Sequence, residues 1–139
     1  MKILIFTEGT IIMHSSNDKL EDFASYVPVK NAGSKVKEWE NQGYDISYIT
    51  SQQAPEVIKT IENVLKKYDF PAGLLYFREE GEEYKDTVTR AKPDVLIEDN
   101  CESIGADEMI CQHLDPALKI TCIVVPEFYG IDHLPTILN

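Results

Sequence analysis

Residues 2–10 read KILIFTEGT, and the reading of this stretch decides the fold. Lys2 to Phe6 is a short, nearly all-apolar, branched run, which predicts a strand buried on both faces in a parallel sheet. A hydroxyl, an acid, a glycine and a second hydroxyl follow it as Thr7, Glu8, Gly9 and Thr10. Similar apolar runs recur at residues 46–50, 73–77, 95–98 and 120–125. The chain therefore predicts five mainly parallel strands.

Helical spacing fills the intervals. Val29, Ala32, Val36 and Trp39 share one face, with Gly43 as a C-terminal stop. Pro55 fits a first helical turn, and Val57, Ile58, Ile61, Val64, Leu65 and Tyr68 form an apolar stripe behind it. Tyr84, Val88 and Ala91 share a face before Pro93. A fourth helix is expected after Asp99, with Ile104, Met109, Ile110 and Leu114 on its apolar positions. Strands alternating with helices predict one α/β three-layer sandwich over residues 1–139. Residues 11–28 are the least regular part, long for a strand-to-helix connection, and loops of that kind cover sites.

Composition narrows the function. A 139-residue chain with 43% hydrophobic residues can bury a core of its own. A net charge of −11 argues against non-specific binding to nucleic acid or anionic lipid. Much of the excess lies in solvated-looking runs such as REEGEEYKD at 78–86. No apolar stretch is long enough to span a bilayer. Cys101, Cys111 and Cys122 make an odd, sparse set with no Cys-x-x-Cys spacing, which predicts buried thiols in a reducing, cytoplasmic setting. His14, His113 and His133 form no metal-binding pattern.

In a parallel α/β sheet the ligand site lies beyond the carboxyl ends of the strands. Glu8, Gly9 and Thr10 follow the first strand, and Thr50, Ser51 and Gln52 the second. Lys85 stands near the start of the third helix, and the phrase KPDVLIEDN at 92–100 ends the fourth strand in Glu98, Asp99 and Asn100. Acids at two strand ends suit a magnesium ion, which takes hard oxygen ligands. A hydroxyl and a lysine suit phosphoryl oxygens, and backbone N–H groups near Gly9 add donors. Each residue also has a plainer reading: Glu8 and Asp99 as turn or cap acids, Thr50 as a local cap, Lys85 as a solvated cation. Cys101, near the same edge, reads as a structural thiol, since no histidine stands at a spacing that would activate it.

The order of these elements resembles the haloacid-dehalogenase-like superfamily, mostly phosphatases and other phosphotransferases. The resemblance covers residues 2 to about 125 and implies a Rossmannoid core, here without a large cap. It places Glu8 as the general acid/base, and Gly9, Thr10, Thr50 (with Ser51 as close rival) and Lys85 around the phosphoryl group. It places Asp99, Glu98 and the backbone oxygen of Glu8 on magnesium. The departure is Phe6, which stands where the family keeps its nucleophilic aspartate and offers neither an attacking atom nor a metal ligand. Glu8 is also one methylene longer than the family's acid.

Three readings follow from that departure. The chain binds a phosphorylated small molecule or a partner in an acidic pocket without the family's phosphatase chemistry, with magnesium weak at most. Alternatively it hydrolyses phosphate esters with a water positioned by Glu8. In the third reading it is a non-enzymatic interaction module.

Overall fold

The computed structural model describes residues 1–105 and 109–138. Its sheet has five parallel strands: β1 (Lys2–Phe6), β4 (Asp45–Ile49), β5 (Leu75–Tyr76), β6 (Val95–Asp99) and β7 (Thr121–Val125). Their spatial order is β5-β4-β1-β6-β7, so β1 lies at the centre, between β4 and β6. Three helices connect them: α1 (Ala32–Asn41), α2 (Pro55–Lys67) and α3 (Tyr84–Ala91). Residues 11–28 form a small antiparallel pair, β2 (Ile12–Met13) with β3 (Val27–Pro28), and two 3-10 turns, at Asn17–Lys19 and Phe23–Ser25.

Alternation along the strands sorts the core into two layers. Ile3, Ile5, Ile46, Tyr48, Val95 and Ile97 pack on Trp39 of α1 and on Ile61, Val64 and Leu65 of α2. Leu4, Ile49 and Leu96 pack on Val88 and Ala91 of α3 and on Ile110. The α2 stripe matches its predicted spacing, with Pro55 in the first turn. In α3, Glu83 and Asp86 form a reciprocal capping box, and Lys92 ends the helix in the left-handed region.

The C-terminal residues run back across α1. Trp39 Nε1 donates to Pro135 O at 2.9 Å, Lys35 Nζ to Leu134 O at 2.7 Å, and Leu138 N to Tyr44 Oη at 2.8 Å. Among the described residues no helix is long and apolar enough to cross a membrane.

Three expectations need correction. The third strand is two residues, 75–76, rather than 73–77. In place of a fourth helix the described residues after β6 form 3-10 turns at Glu102–Ile104, Cys111–His113 and Pro116–Leu118, while positions 106–108 lie outside the described residues. Two features account for it. Cys101 and Gly105 both adopt positive φ, and the N–H groups of Ile110 and Cys111 donate to Glu98 rather than along a helix axis. Finally, Cys111 and Cys122 are joined in a disulfide and only Cys101 is free. The turn at 111–113 is thereby tied to β7, and a reducing compartment no longer follows from the cysteines.

Candidate functional site

Parallel pairing of β1 with β4 and β6 brings the ends of these three strands to one edge. Phe6, Glu8, Ser51 and Asp99 line a cleft of about 220 Å³ there, together with Tyr84 and Glu127. Glu8 also opens onto a larger cavity of about 530 Å³ bounded by His14, Tyr26 and Phe128. The irregular 11–28 segment thus contributes to the wall of the site, through His14 and Tyr26.

Asp99 is 2% exposed. Thr10 Oγ1 donates to its Oδ1 at 2.8 Å and the Cys101 N–H to its Oδ2 at 3.0 Å. Burial raises its pKa against the opposing pull of these donors, and the Glu127 charge adds to the rise. Gly9 is required here. Its φ is +88°, and a Cβ at that position would stand 3.0 Å from Asp99 Oδ1. Burial, followed by the charges of Asp99, Glu98 and Glu127, pushes the Cys101 thiol up to about 12, so it is no nucleophile at neutral pH.

Glu98 goes elsewhere. Strand alternation points it to the opposite face from Asp99, where its two oxygens accept from Ile110 N and Cys111 N, each at 2.8 Å. Its pKa is raised, chiefly by burial. The structure does not bring Glu98 and Asp99 onto a common ligand. Lys85 is also apart: its ammonium lies 3.6 Å from Glu83, half exposed. It lines a separate cavity with Arg78 and His113 rather than the cleft of Asp99.

Glu8, in contrast, is held by several donors. Thr50 Oγ1 donates to its Oε1 at 2.6 Å and Ser51 N to its Oε2 at 3.0 Å. The hydroxyls of Thr7 and Ser51 are hydrogen-bonded to the same carboxylate. The backbone N–H groups of Gly9 and Thr10, expected as phosphoryl donors, are engaged within the turn by Ile12 O and Thr7 O.

Phe6 is partly buried and meets Tyr84 edge-on, with ring centroids 5.9 Å apart. The Arg78 guanidinium stacks on the Tyr84 ring at 4.3 Å and donates to Ser51 O at 3.2 Å. Arg78 Nε is buried with no hydrogen-bond partner among the described residues. Sequence reasoning missed Arg78 and Glu127. Both follow strand ends, β5 and β7, so the strand-end rule applied to all five strands would have found them.

These residues are a poor fit for magnesium. Three carboxylates line the cleft, Glu8, Asp99 and Glu127, but both Asp99 oxygens already accept hydrogen bonds, Glu8 is turned onto residues 50–51, and Glu127 accepts from Ser103 N and Oγ. Among the described residues no three His, Cys, Asp or Glu side chains group as a metal site.

The chain matches no family profile and no curated protein sequence. Solved structures do share its fold. A chain of the Pnkp1/Rnl/Hen1 complex superposes with a TM-score of 0.67 at 14% identity, over 91% of this chain and 45% of that one. A chain of the Pnkp1/Rnl/Hen1 RNA repair complex gives 0.61 at 16%, over 91% and 42%. This chain therefore spans less than half the length of those two chains. The D,D-heptose 1,7-bisphosphate phosphatase from B. bronchiseptica, complexed with magnesium and phosphate, gives 0.56 at 11%, over 89% and 79%. The fold is haloacid-dehalogenase-like. The resemblance read from the opening stretch thus holds at the level of the fold.

Proposed function

We propose that this haloacid-dehalogenase-like chain binds a phosphorylated small molecule at the β1–β4–β6 edge and does not transfer the phosphoryl group. Phe6 carries the reading. It stands at the end of β1, in the wall of the cleft beside Asp99, and has no atom that can attack phosphorus. Binding is supported by the hydroxyls of Thr7, Thr50 and Ser51 and the Ser51 N–H, which already converge on a carboxylate. Gly9 and Thr10 act indirectly in this reading, by seating Asp99. Lys85 and Arg78 face a neighbouring cavity and suit a remote anionic group of the ligand.

The water-attack reading finds less support, because Glu8 would have to leave these donors before it could hold a water. Nucleic acid is a poor partner for a chain of charge −11.

The test pairs two assays. Inorganic phosphate titrated into the protein should perturb the Ser51 amide in 15N-resolved NMR. An activated aryl phosphate should show no turnover above buffer. Robust wild-type turnover abolished in Glu8→Gln would overturn the non-catalytic reading in favour of water attack.

Magnesium is expected to bind no tighter than on the order of millimolar, since the cleft carboxylates Glu8, Asp99 and Glu127 are each already engaged by protein donors. Calorimetry should show no saturation below that range. Tight binding that survives Asp99→Asn would mean that the site has been wrongly located.

A further inference from the structure

The donors that suit a phosphoryl group are not vacant. Both Glu8 oxygens are occupied: Oε1 accepts from Thr50 Oγ1 and Thr7 Oγ1, and Oε2 from Ser51 N and Ser51 Oγ. These groups come from the ends of two adjacent strands, β1 and β4, and they face one carboxylate from both sides.

We infer that the Glu8 carboxylate is an internal anion that closes this cradle, and that a ligand's phosphoryl group must displace it in order to bind. The inference rests on the proposed phosphoryl-binding reading and adds a gate to it.

Side-chain length is the physical cause. A carboxylate presents two oxygens with several lone-pair sites, enough to accept every donor of the cradle at once. Glutamate reaches residues 50–51 from position 8, and an aspartate there would stop about one methylene short. Without the Glu8 carboxylate the Thr7 hydroxyl would keep Ile49 O at 3.1 Å, while the Thr50 hydroxyl and the Ser51 hydroxyl and N–H would lose their carboxylate acceptor. Two anions cannot share them, because unit charges about 4 Å apart repel strongly at a partly desolvated site. Space for displacement lies next to it, since Glu8 also lines the 530 Å³ cavity beside His14 and Tyr26. Swinging into that space would leave the cradle free without unfolding either strand.

The gate predicts an effect opposite in sign to that of a catalytic or ligand-binding acid. Removing the carboxylate should improve binding. Wild type, Glu8→Ala, Glu8→Asp and Glu8→Gln are titrated with inorganic phosphate, followed by the Ser51 amide signal, after circular dichroism confirms folding. Glu8→Ala and Glu8→Asp should each bind phosphate about tenfold or more tighter than wild type. Glu8→Gln, which keeps the bulk but not the charge, should fall between. Equal affinity in wild type and Glu8→Ala would overturn the gate and leave the phosphoryl reading intact. Weaker binding in both Glu8→Ala and Glu8→Asp would overturn it too, by showing that Glu8 assists the ligand. If no variant binds phosphate and the Ser51 amide never responds, the gate and the phosphoryl reading fall together.

Discussion

The double variant Phe6→Asp/Glu8→Asp is expected to turn over an activated aryl phosphate in magnesium-containing buffer, where wild type shows none. Phe6→Asp puts a carboxylate at the end of β1, in the cleft that Asp99 and Ser51 already line. Glu8→Asp retracts the second acid from residues 50–51, so that the cradle can hold the phosphoryl oxygens while this acid serves proton transfer. The single variant Phe6→Asp should be much less active, because its phosphoryl group would still compete with Glu8. Turnover by the double variant will be slow, since a misplacement of about 1 Å costs on the order of a hundredfold. Initial rates at matched protein concentration check the ordering of double over single over wild type. A folded double variant that binds phosphate yet never turns over would argue that the site has diverged from a phosphatase beyond these two positions.

Glu98→Ala is expected to cost on the order of 3 kcal/mol of stability. It strips the acceptors from two N–H groups, Ile110 and Cys111, and an unsatisfied buried donor costs about 1–3 kcal/mol. In a chain of this size that corresponds to a fall in Tm of roughly 10 °C. Glu98→Gln should lose less, because it keeps one acceptor oxygen. The pH dependence tests the same group. Burial raises the pKa of Glu98 and of Asp99, so above the unfolded carboxylate pKa of about 4 the folded state binds more protons. Stability should therefore rise as pH falls from 7.5 to 5.5, and be lost again as pH climbs through the raised values. Glu82, held down to about 2 first by its hydrogen bonds from Arg90 and then by the Glu79 N–H, contributes in the opposite sense. Its contribution is lost only below about pH 4.5, outside this window. Urea unfolding at both pH values should give a shallower slope for Glu98→Gln; an unchanged slope would mean that Glu98 is not a source of the effect.

Much of the sheet could be read directly. The central runs at 2–6 and 95–98 are apolar enough to require burial on both faces, and the α2 stripe has one clear period. What failed depended on contacts distant in sequence. The apolar spacing of Ile104, Ile110 and Leu114 looked helical, but the backbone there is claimed by Glu98, and residue spacing does not reveal such an acceptor. The pairing of Cys111 with Cys122 required knowing that the turn at 111–113 comes back beside β7. At the site, Glu98 and Asp99 look like one acidic pair in the sequence, yet neighbours on a strand face opposite ways, which the alternation rule alone implies. The direction taken by Glu8 was not available, since it depends on how far one extra methylene reaches toward residues 50–51.

The way residues 134–138 lie across α1 bears on how the protein is made. Trp39 waits for a carbonyl 96 positions later and Lys35 for one 99 positions later. β1, α1 and β4 are synthesised before residues 134–138, and domains begin to organise during synthesis. At the ribosome, then, the early half of the sheet has to persist with the Trp39 flank of its first helix uncovered. Contacts of such long range slow folding, and the indole N–H of Trp39 lacks its carbonyl partner until residues 134–138 emerge.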